Sequence, residues 1–460
     1  MTSKTGATRT GATKKATTRK ATTNTDPTEA FVWVWLPDAT EPVVAGRLVQ
    51  DGNRLLFTYG ASYRRRDNAI ALYEPELPLQ EGTIAPLNGL NMASCIRDGS
   101  PDAWGRRVII NRLTGSKPDA AGIPEISELT YLLHSGSDRI GALDFQQSAT
   151  EYVPRLAAQA SLAELQEAAA LIEKGLPLTP ALDQALNHGT SIGGARPKAL
   201  VDDDDRKFIA KFSAGNDTHS VVKAEFIAMR LAASCGLNAA PVSMTRAAQK
   251  DVLLIERFDR THTQNGWTRR AMVSALTMLG LDEMMARYAS YEDLAELIRH
   301  RFTDPKDTLR ELYGRICFNI LCGNTDDHAR NHAAFWDGKN LTLTPAYDIC
   351  PQSRTGSEAT QAMLIKGDAR ASTLATCLNA APDYHLKDAE AAALIEQQLE
   401  TIARHWPAIC DEAQLSPVDR KLFAGRQFLN LYALEGLEGH EALHDAYQTT
   451  RNALIEAAGT

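Results

Sequence analysis

Gly323-Asn324-Thr325-Asp326-Asp327-His328-Ala329-Arg330-Asn331-His332 is the stretch on which the reading of this chain turns. Asp326 and Asn331 are separated by four residues, the Asp-x-x-x-x-Asn spacing of loops that catalyse phosphoryl transfer. Chemistry explains the pairing. A carboxylate can accept the proton of an attacking hydroxyl. An amide oxygen beside it can ligate Mg²⁺ without placing another negative charge next to phosphates. The spacing recurs by chance, so the flanking sequence must supply the other parts.

Working outward, the β-prone run from Leu341 ends at Tyr347-Asp348-Ile349. Asp348 stands where a second metal-binding acid would follow a catalytic loop; its ordinary reading is a turn residue capping a helix near Pro351. Upstream, Phe208-Ile209-Ala210-Lys211-Phe212 places a lysine in an apolar strand, where it is costly to bury unless paired. Lys211 would hold α- and β-phosphates, with Glu225 on the following helix as its partner. The alternative is a lysine on the solvent side of an edge strand. Further upstream, Ser191-Ile192-Gly193-Gly194-Ala195-Arg196-Pro197-Lys198 precedes a strand. Its small residues let backbone N–H groups approach phosphates, with charge from Arg196 or Lys198. It matches neither G-x-x-x-x-G-K-[ST] nor G-x-G-x-x-G, and alone it reads as a turn. The order carries more than any single piece: glycine-rich loop, strand lysine, helix glutamate, Asp…Asn and metal-binding Asp follow one another as ATP-dependent phosphoryl transfer requires.

Other features weigh less. His328 and His332, at i and i+4, could form half a zinc site on a helix, but no third ligand is specified. His328 is instead expected to orient the catalytic loop by hydrogen bonding. Asp202 to Asp205 read as a solvated hairpin tip. The formal net charge of -8 argues against broad nucleic-acid or membrane-surface binding by the folded body. Seven cysteines, odd in number and without a C-x-x-C pair, fit a reducing cytosol better than a disulfide framework or structural zinc. No apolar stretch approaches the roughly 18 residues of a membrane span.

Residues 1–29 are Thr, Ala, Gly and basic residues with almost no apolar content, and are expected to be a disordered basic tail. Strands are predicted at 31–36, 43–48 and 54–59, within a β-rich subdomain over 30–115. A helix is predicted over 103–113, capped by an Asp or Ser of Asp98-Gly99-Ser100-Pro101-Asp102, and another over 156–174. Residues 116–258 would form an ATP-binding lobe, with strands at 198–201, 207–212 and 252–256 and a helix over 221–235. Residues 259–460 would be a helical lobe. The fold class is α+β, two-lobed, with a helical C-terminal half.

With these parts assembled, the chain resembles the HipA family of toxin–antitoxin kinases. The residues that carry the resemblance are Asp98-Gly-Ser-Pro-Asp-Ala-Trp-Gly-Arg106, Ser191 to Lys198, Leu254-Ile-Glu-Arg-Phe-Asp-Arg260, Asn324 to Asn331 and Ala346-Tyr-Asp-Ile349. The resemblance implies a protein-kinase-like fold with an extra N-terminal β-rich subdomain. It implies Asp326 as general base, Asn331 and Asp348 as Mg²⁺ ligands, and Lys211 on the phosphates of ATP. Ser191, Gly193, Gly194, Ala195 and Lys198 would surround the nucleotide. Glu256 to Phe258 would lie against adenine at the lobe hinge, and Ser191 would be autophosphorylated, ejecting its loop. Further implications are a HipB-like, DNA-binding antitoxin, operator DNA contacted mainly through it, and a protein substrate such as glutamyl-tRNA synthetase. The competing reading is a catalytically weak, antitoxin-binding co-repressor module. Small-molecule or lipid phosphotransfer would use the same ATP machinery. Pro197, which stiffens the glycine-rich segment, and the long basic tail depart from the family pattern.

Overall fold

Runs of β-branched and aromatic residues form the first strands, and along the third of them, Arg54–Tyr59, every second residue is buried, as a sheet with one covered face requires. The computed structural model describes residues 26–115, 125–156, 160–186, 190–215, 217–354 and 356–459. The basic tail expected at 1–29 falls mostly outside them. Strands β1 (Glu29–Val34), β2 (Val43–Asp51), β3 (Arg54–Tyr59), β4 (Thr83–Ile84) and β5 (Leu143–Gln146) form an antiparallel sheet in the order β4-β3-β2-β1-β5. Expected boundaries and structure differ here. Residues 143–146, assigned from sequence to the 116–258 segment, pair with β1 and so complete the N-terminal sheet.

A second antiparallel sheet, β6 (Lys198–Asp203), β7 (Arg206–Phe212), β8 (Val242–Ala247) and β9 (Lys250–Glu256), has the order β6-β7-β9-β8. Its β6–β7 turn falls within the acidic run, as expected. One face, with Ala199, Ala210, Phe212 and Val252, packs with Trp104 and Val108 against Leu165, Ala169 and Ile172 of the helix Leu162–Lys174. That helix begins with the Ser161/Glu164 capping box. The helix Val221–Ser234 packs against β8 and β9.

Beyond β9 the chain, expected to be mostly helical apart from the β-prone run at Leu341, holds further strands. Short strands β10 (Arg260–Thr263) and β11 (Gly266–Arg269) form a hairpin, and β12 (Ala271–Ser274), β13 (Ala333–Trp336) and β14 (Leu341–Leu343) form a three-stranded sheet. Each has three or four residues, too few for a period-two pattern to stand out. The rest of the lobe is built around the helices Pro305–Cys322, Asp388–Glu412 and Glu441–Gly459. Its core is continuous with that of the N-terminal sheet. All seven cysteines are free and buried. Among the described residues, no helix is long and apolar enough to cross a membrane.

Candidate active site

A cleft of about 1160 Å³ opens between the four-stranded sheet and the helical lobe. Lys198 and Lys211 stand directly opposite each other on β6 and β7, and both are buried. Lys211 Nζ reaches Glu225 Oε1 at 2.6 Å and also pairs with Asp348. The glutamate comes from the helix Val221–Ser234 and the aspartate from the segment after β14, so one ammonium joins the lobes. Lys211 is therefore not an edge-strand lysine. Burial alone would lower its pKa, but Asp348 and Glu225 outweigh that and hold it above the ordinary lysine value. Burial likewise works against the charged form of Asp348; Lys211 and Lys198 nevertheless hold its carboxyl well below the usual range. For Lys198 the compensation from Asp348, Asp102 and Glu225 is only partial. Burial and repulsion from Lys211 push it down to about 8, and its Nζ rests on the Gly193 carbonyl.

The segment that carries Asp326 and Asn331 leaves the helix Pro305–Cys322 through Gly323, whose φ of +74° is left-handed. A Cβ there would lie 2.3 Å from the Gln427 carbonyl oxygen, so both backbone and space require glycine. Asn319, on the last turn of that helix, donates to Asp327 Oδ2 at 2.6 Å, and its Oδ1 accepts from Asn324 Nδ2 at 3.0 Å. Buried Asp327 also binds His332 Nε2 at 2.8 Å and the Tyr291 hydroxyl. These contacts hold the loop while Asp326, its neighbour, is exposed to the cleft. Partial burial raises the Asp326 carboxyl pKa, the negative charges of Asp348 and Asp327 add to the rise, and His328 opposes it. Asn331 donates from Nδ2 to the Asp326 carbonyl at 3.2 Å, leaving Oδ1 available.

One expectation changes and two alternative readings fall away. The histidine that orients the loop is His332, not His328: His328 lines the cleft and its Nδ1 has no hydrogen-bond partner. Nor do the pair form half a zinc site, because a 3-10 turn (Ala329–Asn331), not an α-helix, separates them and Asp327 takes His332 Nε2. Asp348 has φ +61° and does not cap a helix near Pro351, where the described chain is irregular.

Gly193, Gly194, Ala195, Arg196, Lys198, Lys211, Glu225, Glu256, Phe258, Asp326, His328, Asn331 and Asp348 all line this one cleft. Ser191 does not. It is buried, with Oγ lacking a partner, so its hydroxyl becomes accessible only if the loop moves. Ile209 and Ile255 add apolar wall beside Glu256 and Phe258, and Phe258 stacks at an angle on Tyr347 with ring centroids 5.8 Å apart.

The residues fit a Mg²⁺–nucleotide pair. The available donors are oxygens, one amide and one carboxylate, opposite two lysines, and Mg²⁺ prefers few protein ligands completed by phosphate and water. Among the described residues there is no cluster of three His, Cys, Asp or Glu able to hold a metal unaided.

Sequence reasoning missed Asp327, Asn319, Tyr291, Arg330 and the role of Asp102. Asp102 occupies the N-cap position of the helix Ala103–Thr114, but its side chain does not cap it. It accepts from the Gly194 N–H at 2.6 Å and pairs with Arg330.

A family model for the HipA-like C-terminal domain matches residues 190–406, and one for the HipA N-terminal domain matches residues 34–146. The chain belongs to the HipA family. It is similar to Y4mE of Sinorhizobium fredii, with 28% identity over 250 residues, covering 50% of this chain and 59% of that protein. It is also similar to the serine/threonine-protein kinase toxin HipA of Shewanella oneidensis, with 25% identity over 183 residues, covering 35% of this chain and 42% of that one. The match thus spans less than two thirds of the length of these curated relatives. Among solved structures, a chain of the Shewanella oneidensis HipA, HipB and operator DNA complex superimposes with a TM-score of 0.60 and 20% identity, covering 90% of this chain and 95% of that one. The fold is the HipA-like α+β architecture: two lobes and an additional N-terminal β-rich subdomain.

Proposed function

We propose that this HipA-family chain transfers the γ-phosphoryl group of ATP to a serine or threonine hydroxyl of another protein, as the toxin of a pair with a HipB-like, DNA-binding antitoxin. The observation that carries the reading is the convergence on one ammonium. Buried Lys211 pairs with Glu225 and Asp348, while Asp326 and Asn331 line the same cleft.

Each side chain has a task. Lys211 and Lys198 hold phosphate oxygens by charge, and Glu225 keeps Lys211 in place. The hinge from Glu256 to Phe258, with Ile209 and Ile255, receives the adenine. Asp326, exposed to the cleft and shifted toward proton binding, takes the hydroxyl proton of the acceptor as the new P–O bond forms and the bond from the γ-phosphorus to the bridging oxygen breaks, releasing ADP. Asn331 Oδ1 and Asp348 would hold Mg²⁺, which when bound neutralises charge on the transferring phosphoryl group. Catalysis is then mainly positioning and electrostatics. Ser191 is the proposed autophosphorylation site, reached by outward movement of its loop, since its Oγ is buried in the inward position. The substrate class, a protein such as an aminoacyl-tRNA synthetase, rests on family membership.

Purified protein incubated with radiolabelled ATP and Mg²⁺ is expected to incorporate label, with a mass increase at Ser191. Asp326→Ala should lose at least about 10²-fold of the rate, the lower end of general-base contributions, while keeping its melting temperature. Label incorporation at the wild-type rate by that variant would remove Asp326 from its role. Failure of the wild type to bind Mg-ATP would favour the co-repressor reading.

A further inference from the structure

Residues 98–102 join the N-terminal domain to the helix Ala103–Thr114, and the scheme above gives them no task. Both acids of the segment reach across the molecule. Asp98 accepts from the Ser274 N–H, the Ser274 hydroxyl and the Thr277 hydroxyl, each at 2.8 Å, which fastens the segment to the helical lobe. Asp102 divides its two oxygens: Oδ2 accepts from the Gly194 N–H at 2.6 Å, and Oδ1 pairs with Arg330 of the catalytic segment. Arg330 is also held by Glu283 at 3.0 Å, and its carbonyl accepts from the Tyr347 hydroxyl at 2.7 Å.

The residues after Asp102 reinforce the contact. The Trp104 N–H donates to the Gly194 carbonyl at 3.2 Å, and its indole Nε1 donates to the Lys198 carbonyl at 2.9 Å. Arg107 reaches the Ala195 carbonyl. A Cβ on Gly105 would lie 2.1 Å from the Thr190 carbonyl oxygen, so the helix and the start of the loop approach at a distance only glycine permits. Arg106 is locked by a bidentate pair with Glu128, both bonds at 2.7 Å. Asp102, Trp104 and Arg107 thus touch the glycine-rich segment, and Gly105 packs against the residue just before it.

We propose that residues 98–107 are a strap, in which Asp102 is a positioning residue that holds the glycine-rich loop in its nucleotide-ready place against the catalytic segment. The proposal rests on the kinase reading only where it concerns ATP. A loop that moves between inward and outward positions binds nucleotide in proportion to its inward population. A charge-assisted hydrogen bond donated by the Gly194 N–H to the Asp102 carboxylate weights that population. Through Asp98 the N-terminal domain and the helical lobe set the position of Asp102, which links the phosphate loop to the placement of the whole domain.

The test uses the full chain. In Asp102→Ala, amide hydrogen exchange over residues 190–198, measured without nucleotide, is expected to quicken by about tenfold, and the apparent Kd for Mg-ATP to rise by about as much. Exchange in β1 to β3 should not change. Asp102→Asn keeps an acceptor for the Gly194 N–H and should return most of both effects, which loss of general packing would not do. If the alanine variant melts early, Arg330→Gln reads the same loop exchange with Asp102 in place, and a rise of about threefold is expected. Loop exchange and Kd within twofold of wild type in these variants, or an asparagine variant indistinguishable from alanine, would overturn the strap. Should the wild type bind no Mg-ATP, the kinase reading fails, while the exchange arm still judges the strap.

Discussion

At the scale of single residues, two lysines face each other across β6 and β7 with different surroundings. Lys211 has two carboxylates; Lys198 has a carbonyl and a repelling neighbour, and sits at about 8. Phosphate oxygens near Lys198 would favour its charged form and raise its pKa. The free protein then carries fewer protons than the complex at and above pH 8, and nucleotide binding takes protons up there. Mg-ATP affinity should be full below about pH 8 and fall as pH rises beyond it. Calorimetry at pH 8.5 in two buffers of different ionisation enthalpy should show uptake of up to about one proton, absent at pH 6.5 and absent in Lys198→Met. Equal uptake in the methionine variant would place the titrating group elsewhere. The site residues that were legible in the sequence are those whose chemistry is costly without a function: a lysine inside an apolar strand, an acid and an amide at fixed spacing. Asp327 and Asn319 were not, because a buried acid and a helical asparagine look ordinary until Tyr291 and His332 are brought against them by the fold.

At the scale of elements, the catalytic segment owes its position to the end of the helix Pro305–Cys322. Gly323→Ala would force an L side chain into left-handed backbone, at about 1–2 kcal/mol, and drive its Cβ against the Gln427 carbonyl, with overpacking adding about 1–3 kcal/mol. The variant should melt several degrees lower in a thermal scan and transfer phosphate more slowly, because Asn319 and Asn324 flank the altered residue. An unchanged melting temperature would show that Gln427 yields without cost. Long elements were readable from sequence. The alternation of β3 and the apolar face of the helix Val221–Ser234 both survive in the structure. Strands β10 to β13 were not, since four residues carry too little pattern, and β12 pairs with β13 across some sixty residues; β14 falls in the run from Leu341 that reads as β-prone. Strand β5 was missed for the same reason, its partner β1 lying more than a hundred residues upstream.

At the scale of the molecule, the N-terminal sheet and the hinge are joined by buried charge. Asp138, in the chain just before β5, accepts from Arg257 Nη1 at 3.0 Å, from Arg260 Nη2 at 2.9 Å and from Lys207 Nζ at 3.1 Å. Asp259 binds both arginines at 2.8 Å and takes the Gly141 N–H at 2.8 Å. Arg257 also donates to the Arg139 carbonyl at 2.7 Å. The hinge residues Glu256 and Phe258, which line the cleft, flank Arg257, so this network sets where they stand relative to the N-terminal domain. Removing Asp138 leaves two buried arginines sharing the single carboxylate of Asp259. That typically costs about 3–5 kcal/mol, and Asp138→Ala should lower the melting temperature accordingly and quicken hydrogen exchange in β5 and at the end of β9 together. Acid should act on the same joint. Burial by itself would raise the Asp138 pKa, but Arg257, Arg260 and Lys207 hold it well below the usual 3.8. The unfolded chain therefore binds this proton first as pH falls. The stabilisation is complete above the ordinary carboxylate value and is lost progressively beneath it. Wild-type stability measured from pH 6 down to pH 3 should fall more steeply than that of Asp138→Ala. Parallel curves for the two proteins would mean that Asp138 does not supply the charge holding domain and hinge together.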